Sequence, residues 1–94
     1  MTDTVVLFPL GLTVATPGAL EALARTGTSP SVLLDRHQSG DWGDVDAEDW
    51  EANARDLIEG ERLFSVYHLS DGTKLYVVTE WDRGATTLLL PTEY

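Results

Sequence analysis

At Gly60 the apolar pattern changes period, and that change limits what the chain can fold into more than any other feature. Before Gly60 apolar residues recur at helical spacing; after it they alternate. The expected class is therefore α+β, with a helical N-terminal half of three short helices packed on a three-stranded antiparallel β-meander. At 94 residues the chain reads as a single domain, 1–94, large enough for one thin core.

Start and stop residues bracket each helix. Val5 to Phe8 is a short apolar run broken by Pro9 and Gly11, so residues 1–10 read as an extended arm or edge strand. Leu12 to Ala15 is a second brief extended piece. Thr16 caps and Pro17 opens a first helix, with Leu20, Leu23 and Ala24 at helical spacing and Gly27 closing it. Ser29 and Pro30 repeat the device for a second helix carrying Val32, Leu33, Leu34 and His37, ended by Gly40. Asp46 with Asp49 resembles a capping box, so a third helix starts near Ala47. Trp50, Ala54, Leu57 and Ile58 form its apolar stripe; Glu48, Asp49, Ala52, Arg55, Asp56 and Glu59 lie opposite.

Two alternating segments follow, Glu61 to Leu69 and Thr73 to Trp81, with Asp71 and Gly72 as a two-residue hairpin turn. Pairing through that turn puts Phe64, Val66, His68, Leu75, Val77, Thr79 and Trp81 on the face that meets the helices. Leu63, Ser65, Tyr67, Leu69, Lys74, Tyr76, Val78 and Glu80 fall on the outer face, where Tyr67 and Tyr76 leave room for a weak homodimer as well as a monomer. Asp82 to Ala85 turn the chain, Thr86 to Leu90 form the third strand, and Pro91 ends it.

Charge narrows the function. The stretch from Asp41 to Glu51, DWGDVDAEDWE, has six acidic residues in eleven, no basic one and two tryptophans. Over the whole chain Lys+Arg 6 stand against Asp+Glu 16, a net charge of −10. Such a balance opposes direct contact with nucleic acid or an anionic membrane; it either favours a basic protein partner or simply maintains solubility. The absence of cysteine excludes disulfides, thiolate catalysis and cysteine metal sites. No apolar run approaches a membrane span and Asp3 interrupts any signal-like start, so a cytoplasmic location is expected.

Catalysis has little to rest on. His37 with Asp41, Asp44 or Glu80 offers imidazole and carboxylates of the kind divalent ions take, but at no recognisable ligand spacing. There is no nucleophile elbow and no phosphate-cradling glycine loop, so the expectation is no enzyme, no cofactor and no metal. His68 reads as an inward structural histidine. Arg83, at a tight turn beside Glu80 and Asp82, is either clamped by those carboxylates or ties the turn to the helices; with His37 these residues form a structural turn-and-clamp group. Thr86 and Thr87 present hydroxyls on opposite faces of the third strand.

Four blocks carry a resemblance: ATPGAL at 15–20, RHQSGDWGDVDAEDWEAN at 36–53, GERLFSVYHLSDGTKLYVVTEWDR at 60–83, and TTLLLPTEY at 86–94. Together they resemble a family of small acidic proteins encoded on plasmids, integrative elements and phages, many bearing a label that ties them to type I restriction-modification subunits. The likeness runs from about residue 11 to Tyr94, with Tyr76 where a tryptophan is frequent.

That resemblance implies a protein which mobile DNA carries between hosts, a setting in which small acidic inhibitors of host defence occur. The expectation is a counter-defence protein, anti-CRISPR or anti-restriction, acting as a DNA mimic on a basic nucleic-acid-binding surface. Asp41, Asp44, Asp46, Glu48, Asp49, Glu51 and Asp56 would occupy arginines and lysines that normally hold phosphates; Trp42 would add apolar contact, and Trp50 would sit in the core. Two alternatives belong to other classes: a restriction-modification or plasmid-maintenance accessory subunit, and a small metal-dependent hydrolase or nuclease centred on His37, Asp41, Glu80 and Asp82.

Overall fold

The computed structural model describes residues 5–94. In chain order these form β1 (Leu12–Ala15), α1 (Pro17–Thr26), α2 (Pro30–Gln38), α3 (Ala47–Glu59), β2 (Leu63–His68), β3 (Lys74–Thr79), β4 (Ala85–Leu89) and a 3-10 turn at Pro91–Glu93. The class is α+β with three helices, but the sheet is four-stranded and mixed, in the order β1-β4-β3-β2. The expected meander is three of its strands. The fourth is β1, parallel to β4, with Leu12 opposite Ala85 and Ala15 opposite Leu88. Four residues are too few to display alternation, and the partner strand lies at the other end of the chain, so the periodic pattern held no sign of this pairing. The expected arm over residues 1–10 lies in part outside the described residues; Val5 to Leu7 are exposed and Phe8 is buried. No helix among the described residues is long and apolar enough to cross a membrane.

The helix boundaries follow their caps. Thr16 accepts a hydrogen bond from the Ala19 N–H (3.1 Å), and Gly27 closes α1 in the left-handed conformation. Asp46 accepts from the Asp49 N–H (2.8 Å) to start α3. At α2 the Ser29 hydroxyl makes no cap bond and meets Ser31 Oγ instead (2.9 Å), leaving Pro30 as the starting signal. Helices α1 and α2 lay Ala19, Ala22, Leu23 and Leu33 on one sheet face, against Tyr67, Leu69, Leu75, Val77 and Leu88. Leu20 and Val32 are exposed.

The hairpin corrects the expected faces of β2. Leu69 N–H donates to the Thr73 carbonyl and Gly72 N–H to the Leu69 carbonyl (2.8 and 2.9 Å), so three residues, Ser70 to Gly72, separate the paired positions. Gly72, with φ 87°, takes the left-handed place that ends such a loop. One extra loop residue slips the register by one and turns β2 over. Leu63, Ser65, Tyr67 and Leu69 face the core with Leu75, Val77 and Thr79; Phe64 and His68 do not, and Trp81 lies beyond β3, exposed. Tyr67 is fully buried, which removes it from any outer-face dimer contact.

Helix α3 is rotated from its expected orientation. Its buried residue is Asn53, whose amide donates to the Phe64 carbonyl (2.6 Å) and accepts from the Phe64 N–H (3.1 Å). These bonds satisfy a stretch of the β2 edge that would otherwise offer unpaired backbone to another chain. Next along the same edge, Val66 pairs with the loop: its N–H donates to the Trp42 carbonyl (3.0 Å), and its carbonyl accepts from the Asp44 N–H (2.7 Å). With α3 pinned through Asn53, Leu57 turns toward the second core cluster of Phe8, Trp42 and Leu63, while Trp50 is 40% and Ile58 87% exposed.

Candidate functional site

The acidic loop before α3 is built from its own carboxylates. Asp41 accepts from Arg36 Nε and Nη2 (2.7 and 3.3 Å) and from the Gly43 N–H (3.1 Å). Hydrogen bonding to Arg36 draws the Asp41 carboxyl below its usual range and raises the Arg36 pKa. The Arg36 guanidinium also lies 4.5 Å from the Tyr67 ring centre, and the Tyr67 hydroxyl donates to the Asp41 carbonyl (2.6 Å). Asp44 pairs with His68 Nδ1 (2.7 Å), an outward contact in place of the expected core histidine. Asp46 is spent on the helix cap. Trp42 is 2% exposed, stacked on Phe8 with ring centres 6.2 Å apart, and so is no contact residue in this fold.

Gly43 allows this loop to approach β2. Its φ is 75°, and a Cβ there would lie 2.0 Å from the Val66 carbonyl oxygen. We expect Gly43→Ala to cost about 2 kcal/mol, from the left-handed backbone and the displaced pairing with Val66. A urea midpoint equal to that of the native protein would show that the loop can leave the β2 edge freely.

Beneath the loop lies a buried hydrogen-bond chain. His37 is wholly buried, with Nδ1 2.6 Å from Ser65 Oγ and Nε2 2.8 Å from Thr79 Oγ1. Thr79 meets Thr86 (2.7 Å), and Thr86 donates to the Leu10 carbonyl (2.7 Å). A carbonyl can only accept, and each hydroxyl has one proton, so the donors run in one direction. Thr86 accepts from Thr79, Thr79 accepts from His37 Nε2–H, and Ser65 donates to Nδ1. His37 is thereby a neutral imidazole with its proton on Nε2. Burial, reinforced by the charge of Arg83, lowers its pKa to about 4.

Arg83 does not pair with Glu80 or Asp82. Its guanidinium donates to the carbonyls of Glu61 (2.5 Å), Glu80 (3.1 Å), Trp81 (3.3 Å) and Asp56 (3.4 Å), joining the turn before β4 to the end of α3. Those bonds hold Arg83 at φ 59°, uncommon for a residue with a side chain. Both nitrogens of His37 are hydrogen-bonded within the chain, and Asp41 is held by Arg36. Among the described residues no three histidine or acidic side chains are grouped to hold a metal ion.

The segments at 15–20 and 86–94 also meet each other. Glu93 accepts from Thr16 Oγ1 (2.5 Å), the Leu90 N–H (2.8 Å) and the Gly18 N–H (3.2 Å), placing a carboxylate at the positive end of α1. These bonds, led by that from Thr16, hold the Glu93 carboxyl below its usual range. No family model, curated protein or solved structure matches the chain.

Within the acidic stretch, Asp41, Asp44 and Asp46 are thus bonded inside the chain, and the other carboxylates lie on α3. Glu48, Asp49, Glu51 and Asp56 have no ion-pair partner among the described residues. Glu48, Asp49 and Glu51 are exposed and Asp56 is half-buried. Trp50 is part-exposed on a different side of α3, with Ala54 and Ile58 continuing its stripe one and two turns on. The sequence marked this stripe as core because its spacing is that of a buried face; only the bonds of Asn53 to β2 decide otherwise.

Proposed function

We propose that this protein is a counter-defence inhibitor, anti-CRISPR or anti-restriction, that occupies a basic nucleic-acid-binding surface of a host defence protein. The observation that supports the reading is the outer surface of α3, where Glu48, Asp49, Glu51 and Asp56 lack internal partners and Trp50 offers an exposed aromatic ring. Carboxylates arrayed along a helix take the arginines and lysines that otherwise hold phosphates, and a tryptophan supplies the apolar centre on which interface affinity often depends. Asp41, Asp44 and Asp46 support that surface from below by ordering the loop that leads into α3.

The test is phage or plasmid targeting in cells with an active CRISPR or restriction system, comparing the native protein with Glu48→Lys/Glu51→Lys. The native protein is expected to protect. The double variant, which disturbs no hydrogen bond described above, is expected to weaken target binding by about tenfold or more and to lose protection. Affinity should also fall steeply with added salt. Absence of protection across a panel of CRISPR and restriction systems would overturn the reading and leave the accessory-subunit alternative ahead.

A further inference from the structure

Beside α3 on the outer sheet face is a cleft of about 300 Å³, lined by Asp49, Asn53 and Asp56 of the helix and by Arg62, Phe64 and Tyr94. Two aromatic rings, Phe64 and Tyr94, form its wall, and Tyr76 packs against both. Phe64 and Tyr76 meet edge to face at 4.7 Å, and Tyr94 closes on them at 5.9 and 5.7 Å. Tyr94 remains 60% exposed. The Arg62 guanidinium lies 5.6 Å from the Tyr94 ring centre, so this ring already carries one cation. Asn53 is the floor and is spent on the Phe64 backbone. Asp49 and Asp56 stand on the same side of α3, about 10 Å apart along the helix axis. Neither lies within ion-pair distance of Arg62 or of any other basic group among the described residues.

Two carboxylates against one guanidinium leave the cleft with an uncompensated negative charge beside aromatic surface. From this geometry we infer that the cleft seats an arginine side chain of the basic partner, its guanidinium lying against the aromatic wall and bridging toward Asp49 or Asp56. Arginine fits better than lysine because its planar fork matches a carboxylate, stacks on a ring and is weakly hydrated, whereas an ammonium is compact and strongly hydrated. A second copy of this chain is a poor occupant, since each copy carries a net charge of −10. The inference deepens the proposed function and takes its partner class from it, but its test needs no defence protein.

The probe is N-acetyl-arginine methylamide, titrated into the isotopically labelled protein and followed by NMR beside its lysine counterpart. Saturable shifts are expected at the Asn53 side-chain amide and the Ala52 and Phe64 backbone amides, with the arginine probe at least about threefold tighter than lysine. Asp56→Asn and Tyr94→Leu are each expected to weaken binding by about threefold or more. Arg62→Ala is expected to tighten it, because a competing cation has gone. Uniform shifts without saturation, equal response to the two probes, or loss of binding in Arg62→Ala would overturn the inference. A saturable site in a protein that fails every defence assay would keep the arginine seat and discard the counter-defence reading; protection without probe binding would do the reverse.

Discussion

Lowering the pH from 7 to 4 is expected to remove roughly 3 kcal/mol of folding stability from the native protein through His37, and none through that position in a His37→Gln variant. In the fold the imidazole has its proton on Nε2 for Thr79 and its lone pair on Nδ1 for Ser65. A second proton would face the hydroxyl that already donates to Nδ1, in a site walled edge-on by Phe8 and Trp42 at 5.3 and 5.6 Å and under the charge of Arg83. The folded pKa therefore falls to about 4, below the usual 6.5 of a histidine. Between those values the unfolded chain binds the proton and the native chain does not, so stability is complete above the unfolded value and declines as pH falls toward 4.

Asp41 and Glu93, both lowered in the fold, add losses at still lower pH as they protonate. Relief of self-repulsion works in the opposite direction, since a chain of net charge −10 at pH 7 becomes less negative on acidification. Both effects are shared by the variant, so the difference between the two urea-unfolding curves isolates His37. The variant should begin about 2 kcal/mol lower at pH 7, because an amide reproduces only part of the buried bonding. Parallel pH profiles for the two proteins would mean that His37 is not held neutral.

What was legible in the sequence was whatever rests on local chemistry. Thr16, Pro17, Gly27, Asp46 and Gly60 mark helix ends because caps and left-handed stops act over a few residues. The class followed from the change of period. What was not legible depended on distant partners or on a single residue of register. The pairing of β1 with β4 joins opposite ends of the chain, and the direction in which β2 faces turned on whether Ser70 belongs to the strand or to the loop. How the acidic residues divide was not legible for a related reason. Acidic residues in DWGDVDAEDWE look alike as a string, yet Asp41, Asp44 and Asp46 are committed to Arg36, His68 and the helix cap, and Glu48, Asp49 and Glu51 are not. Only the three-dimensional pairing separates carboxylates that build the loop from those that are available to a partner.

The two tryptophans of that stretch provide the sharpest contrast. Trp42→Ala is expected to cost about 3–5 kcal/mol, which approaches the whole stability of a small domain. The indole is 2% exposed and fills the cluster of Phe8, Leu63 and His37, so truncation leaves a void beside a fully satisfied hydrogen-bond chain that cannot collapse without breaking its bonds. Trp50→Ala is expected to stay within about 1 kcal/mol, because its ring is 40% exposed and the rotation of α3 is set by Asn53 and Leu57. The sequence reading predicts the opposite order, with Trp50 in the core by its spacing and Trp42 a surface contact of the expected inhibitor. Urea midpoints of the two variants decide between them, and a larger loss for Trp50→Ala would refute the observed rotation of the helix. The same pair separates folding from binding: a folded Trp50→Ala protein that loses its hold on a defence target would place the aromatic contact on α3, where Glu48 and Glu51 supply the charge.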